Sequence, residues 1–113
     1  MRIEEYIRED GSNPFRTWFD DLDPVAAAKV ATATLRLEAG NTSNVKRIGG
    51  GLGEYRIDWG RGYRLYLAQE GDVLIILFYG GTKRRQQADI DRARMLLAEY
   101  KARKAAVKSA GKR

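Results

Sequence analysis

Helical spacing dominates the first forty residues of the chain. Apolar residues recur at i, i+3, i+4 and i+7 after Pro14, which predicts an amphipathic helix that begins at this proline. Asp23-Pro24 again combines a helix-capping residue with a proline, and it predicts a second helix from Pro24 to about Gly40. A short strand over residues 2–7 precedes both helices. The stripe of the first helix is aromatic and aliphatic, as expected of a core face: Phe15, Trp18, Phe19 and Leu22.

Alternation of apolar and polar residues dominates the middle of the chain. After a polar, glycine-rich stretch over residues 41–53, strands are predicted over residues 54–58 and 63–69, each bounded by turn residues. Residues 73–79 are apolar throughout, which indicates a central strand covered on both faces. A final helix is predicted to begin near Ala88.

The alternation also predicts the register of the first hairpin. A shift by one residue would move every core side chain to the other face, so Ile57 must pair with Tyr63. Arg56 then pairs with Arg64 on the face predicted to lie away from the core. This register requires an odd number of residues in the connection, with a glycine-assisted bulge at Gly62.

These elements predict an α+β fold. Two N-terminal helices pack on a small twisted antiparallel sheet, which consists of a short N-terminal edge strand and a three-stranded meander, and a C-terminal helix follows. We expect one domain over residues 1–100 and a basic helix end or tail over residues 101–113.

Composition excludes several kinds of site. The chain has 113 residues with neither cysteine nor histidine, so disulfides, thiolate metal sites and histidine acid–base chemistry are ruled out. We expect no metal and no small-molecule cofactor. The charged N-terminus has no signal-peptide pattern, and no apolar run reaches the length of a membrane helix, so a cytoplasmic protein without membrane contact is expected.

The net charge of +6 is unevenly distributed. Residues 101–113 carry six bases and no acid, so residues 1–100 sum to zero. Within residues 46–85, however, eight bases oppose four acids, whereas residues 1–24 carry seven acids and three bases. The excess of bases therefore coincides with the predicted strands.

This basic region predicts contact with RNA. Arginine suits the stabilisation of charge on phosphoryl oxygens, because its fork matches phosphate geometry and stays charged. A solvated surface is the alternative interpretation of such a cluster. The bases predicted to converge on one face and one edge of the sheet are Arg56, Arg64, Lys83, Arg84 and Arg85. The wider predicted RNA-binding set comprises Lys46, Arg47, Arg61, Tyr66 and Arg85.

Four ordered motifs resemble the RelE/ParE superfamily of toxins, and more narrowly its HigB-like branch of "addiction module killer" proteins. They are Gly53-Glu54-Tyr55-Arg56-Ile57, Gly62-Tyr63-Arg64-Leu65-Tyr66, Gly80-Gly81-Thr82-Lys83 and Gln87-Ala88-Asp89-Ile90-Asp91-Arg92-Ala93. The N-terminal segment Arg8–Phe15 and Trp18 match this branch as well. The resemblance covers about residues 1–100 and leaves the basic tail unexplained.

The resemblance implies a type II toxin that cleaves mRNA on the ribosome without a metal. By position, Arg64 corresponds to the strand arginine that contacts the scissile phosphate. Lys83 and Arg84 correspond to the basic pair after the last strand, and Arg56 to the first of two bases on the preceding strand. The implied partners are mRNA, the ribosome and a cognate antitoxin, a helix-turn-helix protein of the HigA type.

The chain departs from the pattern of the family at two positions. Asp58 replaces a second lysine, and neither tyrosine nor histidine lies near Asp89, so the general acid and base are left open. A ParE-like inhibitor of DNA gyrase, or an inactive relative that acts with its antitoxin at an operator, remain alternatives. An acidic or amphipathic antitoxin segment is expected to cover the basic face formed by Arg56, Arg64 and residues 83–85.

Overall fold

A five-stranded sheet forms the centre of the computed structural model, which describes residues 1–111. The strand order is β1-β5-β4-β3-β2. In chain order the elements are β1 (Arg2–Glu5), α1 (Pro14–Asp20), α2 (Pro24–Glu38), β2 (Val45–Arg47), β3 (Gly53–Ile57), β4 (Tyr63–Glu70), β5 (Leu74–Thr82), a 3₁₀ turn (Lys83–Arg85) and α3 (Gln86–Ala110).

The N-terminal part confirms the predicted strand and helical hairpin. Asn13 caps α1 by accepting a hydrogen bond from the Arg16 amide, and Asp23 caps α2 by accepting one from the Ala26 amide. A proline occupies the first turn of each helix, where its missing N–H costs no hydrogen bond.

The sheet is mixed, and the expectation of a purely antiparallel sheet is wrong. β1 is the predicted edge strand, but it runs parallel to β5, whereas the other pairs are antiparallel. Two helices and three strands separate β1 from β5 along the chain, so no hairpin forces this pair to be antiparallel. The stretch expected to be a loop also contributes β2, in which Val45 pairs with Tyr55. Gly53 permits this close approach, since a Cβ there would lie 2.9 Å from Val45 Cγ1.

Helices cover both faces of the sheet. One core lies under α1 and α2 and consists of Phe15, Val30, Ala33, Leu37, Tyr55, Leu65, Leu67, Ile75 and Leu77. The other lies under α3 and consists of Tyr6, Leu52, Tyr66, Ala68, Ile76, Phe78, Ala93, Leu96 and Leu97. The face that alternation assigned to solvent is therefore buried along much of its length by the third helix.

A bulge in β5 changes which residues face each helix. Tyr66 pairs with Tyr79 and Leu67 with Leu77, so Phe78 is the extra residue. Beyond the bulge Gly80 faces α1, where a Cβ would lie 2.2 Å from the Trp18 ring. Gly80 and Gly81, which were predicted to follow the last strand, therefore lie within it. Without a Cβ, they allow the strand to approach Trp18 and Asp89 closely.

The last helix begins at Gln86, two residues before the predicted start, and continues through Ala110. No break in secondary structure coincides with residue 100. Lys101 donates a hydrogen bond to the Gly50 carbonyl, and Arg103 donates one to the Ile7 carbonyl, so part of the basic tail is attached to the body. Lys112 and Arg113 lie outside the described residues. Across residues 1–111, no helix has the length and apolarity that a membrane crossing requires.

Candidate nucleic-acid interface

A fully buried carboxylate, Glu54, lies at the centre of the candidate site. Glu54 is 0% exposed and projects from β3 toward the start of α3. Its Oε1 accepts a hydrogen bond from Arg56 Nε at 2.9 Å, and its Oε2 accepts one from Gln86 Nε2 at 3.0 Å. Arg64 Nε lies 3.6 Å from Oε2. One negative charge thus connects two strands and the first residue of a helix.

Opposing effects determine the charge state of Glu54. Burial has the largest single effect and would raise the pKa of this carboxyl, but hydrogen bonds, from Arg56 and Gln86 above all, together with the charge of Arg56 outweigh it and lower the pKa. The group is therefore held as a carboxylate at neutral pH. A weak base without solvent exposure is suited to positioning neighbouring side chains and poorly suited to abstracting a proton from a substrate.

Arg64 is buried, contrary to the prediction of an exposed basic face. Only 6% of the residue is exposed, because α3 and the turn before it cover this part of the sheet. Its Nη1 donates a hydrogen bond to the Gly62 carbonyl at 2.8 Å, while its Nε has no hydrogen-bond partner. The guanidinium is thus fixed in position by the turn and by Glu54.

Tyr66, which was predicted to contact RNA, is also buried. The residue is 0% exposed and belongs to the core under α3, so its ring is not available for stacking on a base. Its hydroxyl has no hydrogen-bond partner. Burial raises the pKa of Tyr66, and the negative charge of Glu54 raises it further, so the phenol stays protonated.

The structure places Lys83 next to Arg64, as the sequence predicted. Both flank Gly62, since a Cβ on this glycine would lie 3.3 Å from Lys83 Cβ and 3.4 Å from Arg64 Nη1. The Lys83 amide also donates a hydrogen bond to the Arg61 carbonyl at 3.3 Å. Lys83 and Arg84 are exposed. With Arg56 these two side chains form the accessible part of the site.

Arg61 and Arg85 line a different cavity, around the free edge at the end of β5. This cavity has a volume of about 370 Å³ and is also lined by Trp18 and Asp89. Asp89 is 7% exposed, and burial raises the pKa of its carboxyl despite the opposing charge of Arg85. The predicted RNA-binding bases are therefore divided between two neighbouring surfaces.

Lys46 and Arg47 project to opposite faces of the sheet. Lys46 pairs with Glu54 and shares its face, whereas Arg47 pairs with Gly53 and lines a cavity with Leu67 on the side of α1 and α2. Only Lys46 can therefore join the surface formed by Arg56. The alternation of a strand accounts for this separation, but the strand itself was not predicted.

Three residues of the site were not identified as site residues from the sequence. They are Glu54, Gln86 and Asp89. One signal was present, since Glu54 and Arg56 alternate on one face of a strand. The contacts of Gln86 and Asp89 depend on how α3 is docked, which no local pattern specifies.

Comparison with known proteins places the chain beside one from Haemophilus influenzae strain Rd. No family model matches the chain. The Haemophilus protein is 41% identical to it over 86 residues, which cover 75% of this chain and 87% of that protein. The two belong to one family. Because the Haemophilus protein is described only as uncharacterized, membership of this family assigns no activity, and function has to be argued from the site.

Proposed function

We propose that the chain is the toxin of a type II toxin–antitoxin pair, with a RelE-like fold of the HigB-like branch, and that it cleaves mRNA in the ribosomal A site. The observation that carries the proposal is the contact of Arg56 and Arg64 with the buried Glu54 carboxylate, with Lys83 next to Arg64 at Gly62. These are the positions that the motif resemblance assigns to RNA cleavage. The order of the elements and the mixed sheet are compatible with the proposal.

The exposed bases make the first contact with the RNA. Arg56, with a side chain 51% exposed, and the exposed Lys83 and Arg84 are available to backbone phosphates. Arg64 then acts on the scissile phosphate through the small part of its side chain, 8%, that solvent reaches. Because Gly62 and Glu54 fix this group beforehand, little reorganisation is needed when charge develops on the phosphoryl oxygens.

Proton transfer is assigned to Lys83 or to the ribosome. RNA cleavage requires activation of the 2′-OH and protonation of the leaving 5′-oxygen. Glu54 and Tyr66 are fully buried, and the shifts in their pKa values disfavour exchange of a proton near neutral pH. Lys83 is exposed and adjacent to Arg64, so it is the side chain of the site best placed to exchange protons with a substrate.

A cognate antitoxin would neutralise the protein by covering the same bases. Arg56, Lys83 and Arg84 are exposed and carry positive charge, which suits an acidic or amphipathic segment. Arg64 is too deeply buried to contribute much to such an interface. A toxin–antitoxin structure in which these three exposed side chains stay solvated would contradict this mode of inhibition.

The burial of Arg64 also favours a second candidate function. An arginine that is 6% exposed and paired with Glu54 is suited to a structural role, as expected if the chain inhibits DNA gyrase by binding and has no chemistry of its own. Induction in cells would then activate the DNA damage response, and gyrase would be recovered with the protein, without new mRNA ends.

The deciding experiment mixes purified protein, free of antitoxin, with 70S ribosomes that carry a defined mRNA and an empty A site. Primer extension maps new ends, and naked mRNA serves as the control for ribosome dependence. We expect cleavage within the A-site codon, lost in a Lys83→Ala/Arg84→Ala variant and kept in Lys108→Ala. Lys83 and Arg84 are exposed, so their replacement leaves the fold intact.

Arg64→Ala requires a separate control because the arginine is buried beside Glu54. Its far-ultraviolet circular dichroism and melting temperature are measured first, and an Arg64→Lys variant tests whether charge alone suffices. A folded Arg64→Ala protein that cleaves like the unmodified protein would contradict the assignment of Arg64. Absence of cleavage by the unmodified protein, with growth arrest confirmed in cells, would favour gyrase.

A further inference from the structure

A second basic surface lies on the opposite side of the sheet from α3. A groove of about 540 Å³ separates α2 from the end of β3 and from the turn that follows it. Lys29, Arg36 and Arg56 line this groove, and Asp58 contributes one acid. Trp59 closes one end. This surface was not among the sites predicted from the sequence.

The bases contributed by α2 point to an anionic ligand. Lys29, Thr32 and Arg36 are spaced by three and four residues, so they share one face of the helix. Within residues 1–111, neither Lys29 nor Arg36 forms an ion pair, whereas several exposed arginines elsewhere pair with acids. Two basic side chains that form no ion pair thus face a groove whose lining includes a single acid, Asp58.

The indole of Trp59 supplies a platform for a base. Trp59 is half-buried and stacks on Tyr63 with ring centroids 5.9 Å apart and an interplanar angle of 19°. Lys29 Nζ lies 5.5 Å from the indole centroid. Because base–aromatic stacking is stronger than an exposed cation–π contact, a nucleobase would displace the ammonium and leave it free to meet a phosphate.

The groove is continuous with the site around Glu54. β2 pairs with residues 53–55 only, so Arg56 and Ile57 lie on an open edge of the sheet. Arg56 lines the groove and also donates to the Glu54 carboxylate. A strand of RNA held by Arg56 can therefore pass over this edge and enter the groove.

We propose that this groove binds single-stranded RNA flanking the cleaved position, with one base stacked on Trp59 and phosphates held by Lys29 and Arg36. The identity of the ligand rests on the proposed function. An unpaired cationic face next to an aromatic platform matches the general mode in which proteins hold single strands without sequence preference. Acidic peptide would match the bases but would leave the indole unused.

The test measures binding apart from cleavage. Because the proposed cleavage requires the ribosome, binding is measured without ribosomes on the otherwise unmodified protein, and fluorescence anisotropy follows a labelled eight-nucleotide single-stranded RNA. We expect Lys29→Gln/Arg36→Gln and Trp59→Leu each to weaken binding about tenfold, whereas Trp59→Phe retains most of it. The double variant should also reduce the slope of log affinity against log salt by about 1.4. Arg2→Gln/Lys108→Gln, with the same change of charge on distant surfaces, serves as the matched control.

Three outcomes would overturn the inference. The groove variants could bind RNA as tightly as the unmodified protein, or the matched control could lose as much RNA affinity as they do. Alternatively, the protein could bind polyglutamate at the groove and show no affinity for RNA. The last outcome would indicate a protein partner. The ribosome assay on the same variants separates this inference from the proposed function. If RNA binding depends on the groove but the unmodified protein does not cleave mRNA, only the inference about the groove is supported. If the unmodified protein cleaves mRNA and the groove variants bind RNA normally, only the proposed function is supported.

Discussion

Arg56 and Arg64 lie directly opposite each other on β3 and β4, and both contact the carboxylate of Glu54. Like charges at paired positions of a sheet are unfavourable, so the arrangement depends on the buried acid beside them. One carboxylate offsets only one of two guanidinium charges. Because Lys83 is adjacent, the site keeps an excess of positive charge that an RNA phosphate would neutralise.

Replacement of Glu54 by glutamine should destabilise the protein strongly. The substitution keeps the shape but leaves Arg64 buried without a counter-charge, which costs about 3–5 kcal/mol when one partner of a buried pair is removed. Urea unfolding monitored by tryptophan fluorescence measures the loss. Glu4→Gln is the control, since its pair with Arg2 is exposed and contributes at most about 1 kcal/mol. Similar losses in both variants would contradict the central role of Glu54.

The stabilisation from Glu54 should also depend on pH in a defined direction. The pKa of Glu54 is lower in the folded protein than its ordinary value of 4.5, so the unfolded chain takes up this proton first as pH falls. The contribution is complete above the unfolded pKa and is lost as pH falls through the folded pKa. The difference in unfolding free energy between the unmodified protein and Glu54→Gln should therefore be constant from pH 6 to 8, and narrow below about pH 4. A gap that widens in acid would refute this assignment.

Tyr66→Phe should leave stability unchanged or slightly increased, and should leave RNA cleavage intact. The hydroxyl is buried without a hydrogen-bond partner, so its removal relieves a desolvation cost. Thermal unfolding and the ribosome assay check the two parts of this prediction. Loss of cleavage with an unchanged melting temperature would instead make this hydroxyl part of the chemistry.

Local signals predicted most of the elements and the register of the first hairpin. Pairing of Ile57 with Tyr63 and of Arg56 with Arg64 is confirmed, and the five residues 58–62 form the odd-length connection. Gly62 adopts a φ of 72°, which favours glycine, but it lies in the connection itself, and the predicted bulge is wrong because β3 and β4 pair without a register shift. Alternation is sufficient here because a slipped register would have buried an arginine in the core under α2.

The docking of α3 is what the sequence did not reveal. Arg64 and Tyr66 alternate with apolar neighbours, which indicates a solvated face when the strand is considered alone. The burial of this face depends on contacts remote in sequence, such as that between Gln86 and Glu54, 32 residues apart. The bulge at Phe78 likewise determines which glycine faces which helix, and it left no distinct residue pattern.

Asp89→Asn should stabilise the protein at neutral pH. Burial raises the pKa of Asp89 in the folded state, so the folded protein favours the protonated carboxyl, and ionisation opposes folding as pH rises. The amide avoids this cost. The variant should therefore be more stable than the unmodified protein above the folded pKa, and the difference should vanish below pH 3.8, the ordinary value for aspartate. Urea unfolding at pH 3 and pH 7 measures both; lower stability at pH 7 would show that the bases around Asp89 outweigh its burial.

Gly81→Ala should destabilise the protein through Asp89, and shortening Asp89 should reverse the effect. A Cβ at position 81 would lie 1.9 Å from Asp89 Oδ2, and such overpacking costs about 1–3 kcal/mol. In an Asp89→Ala background the Cβ of residue 89 would lie 3.2 Å from the new Cβ, so a small shift suffices. Gly81→Ala should then be neutral, or stabilising by up to about 1 kcal/mol because alanine restricts the unfolded chain.

A double-mutant cycle by urea unfolding measures the coupling between positions 81 and 89. Gly80→Ala, whose Cβ would meet the Trp18 ring, is the matched control, and its cost should be the same with or without Asp89. Equal costs of Gly81→Ala in both backgrounds would mean that the carboxylate does not occupy the space above Gly81.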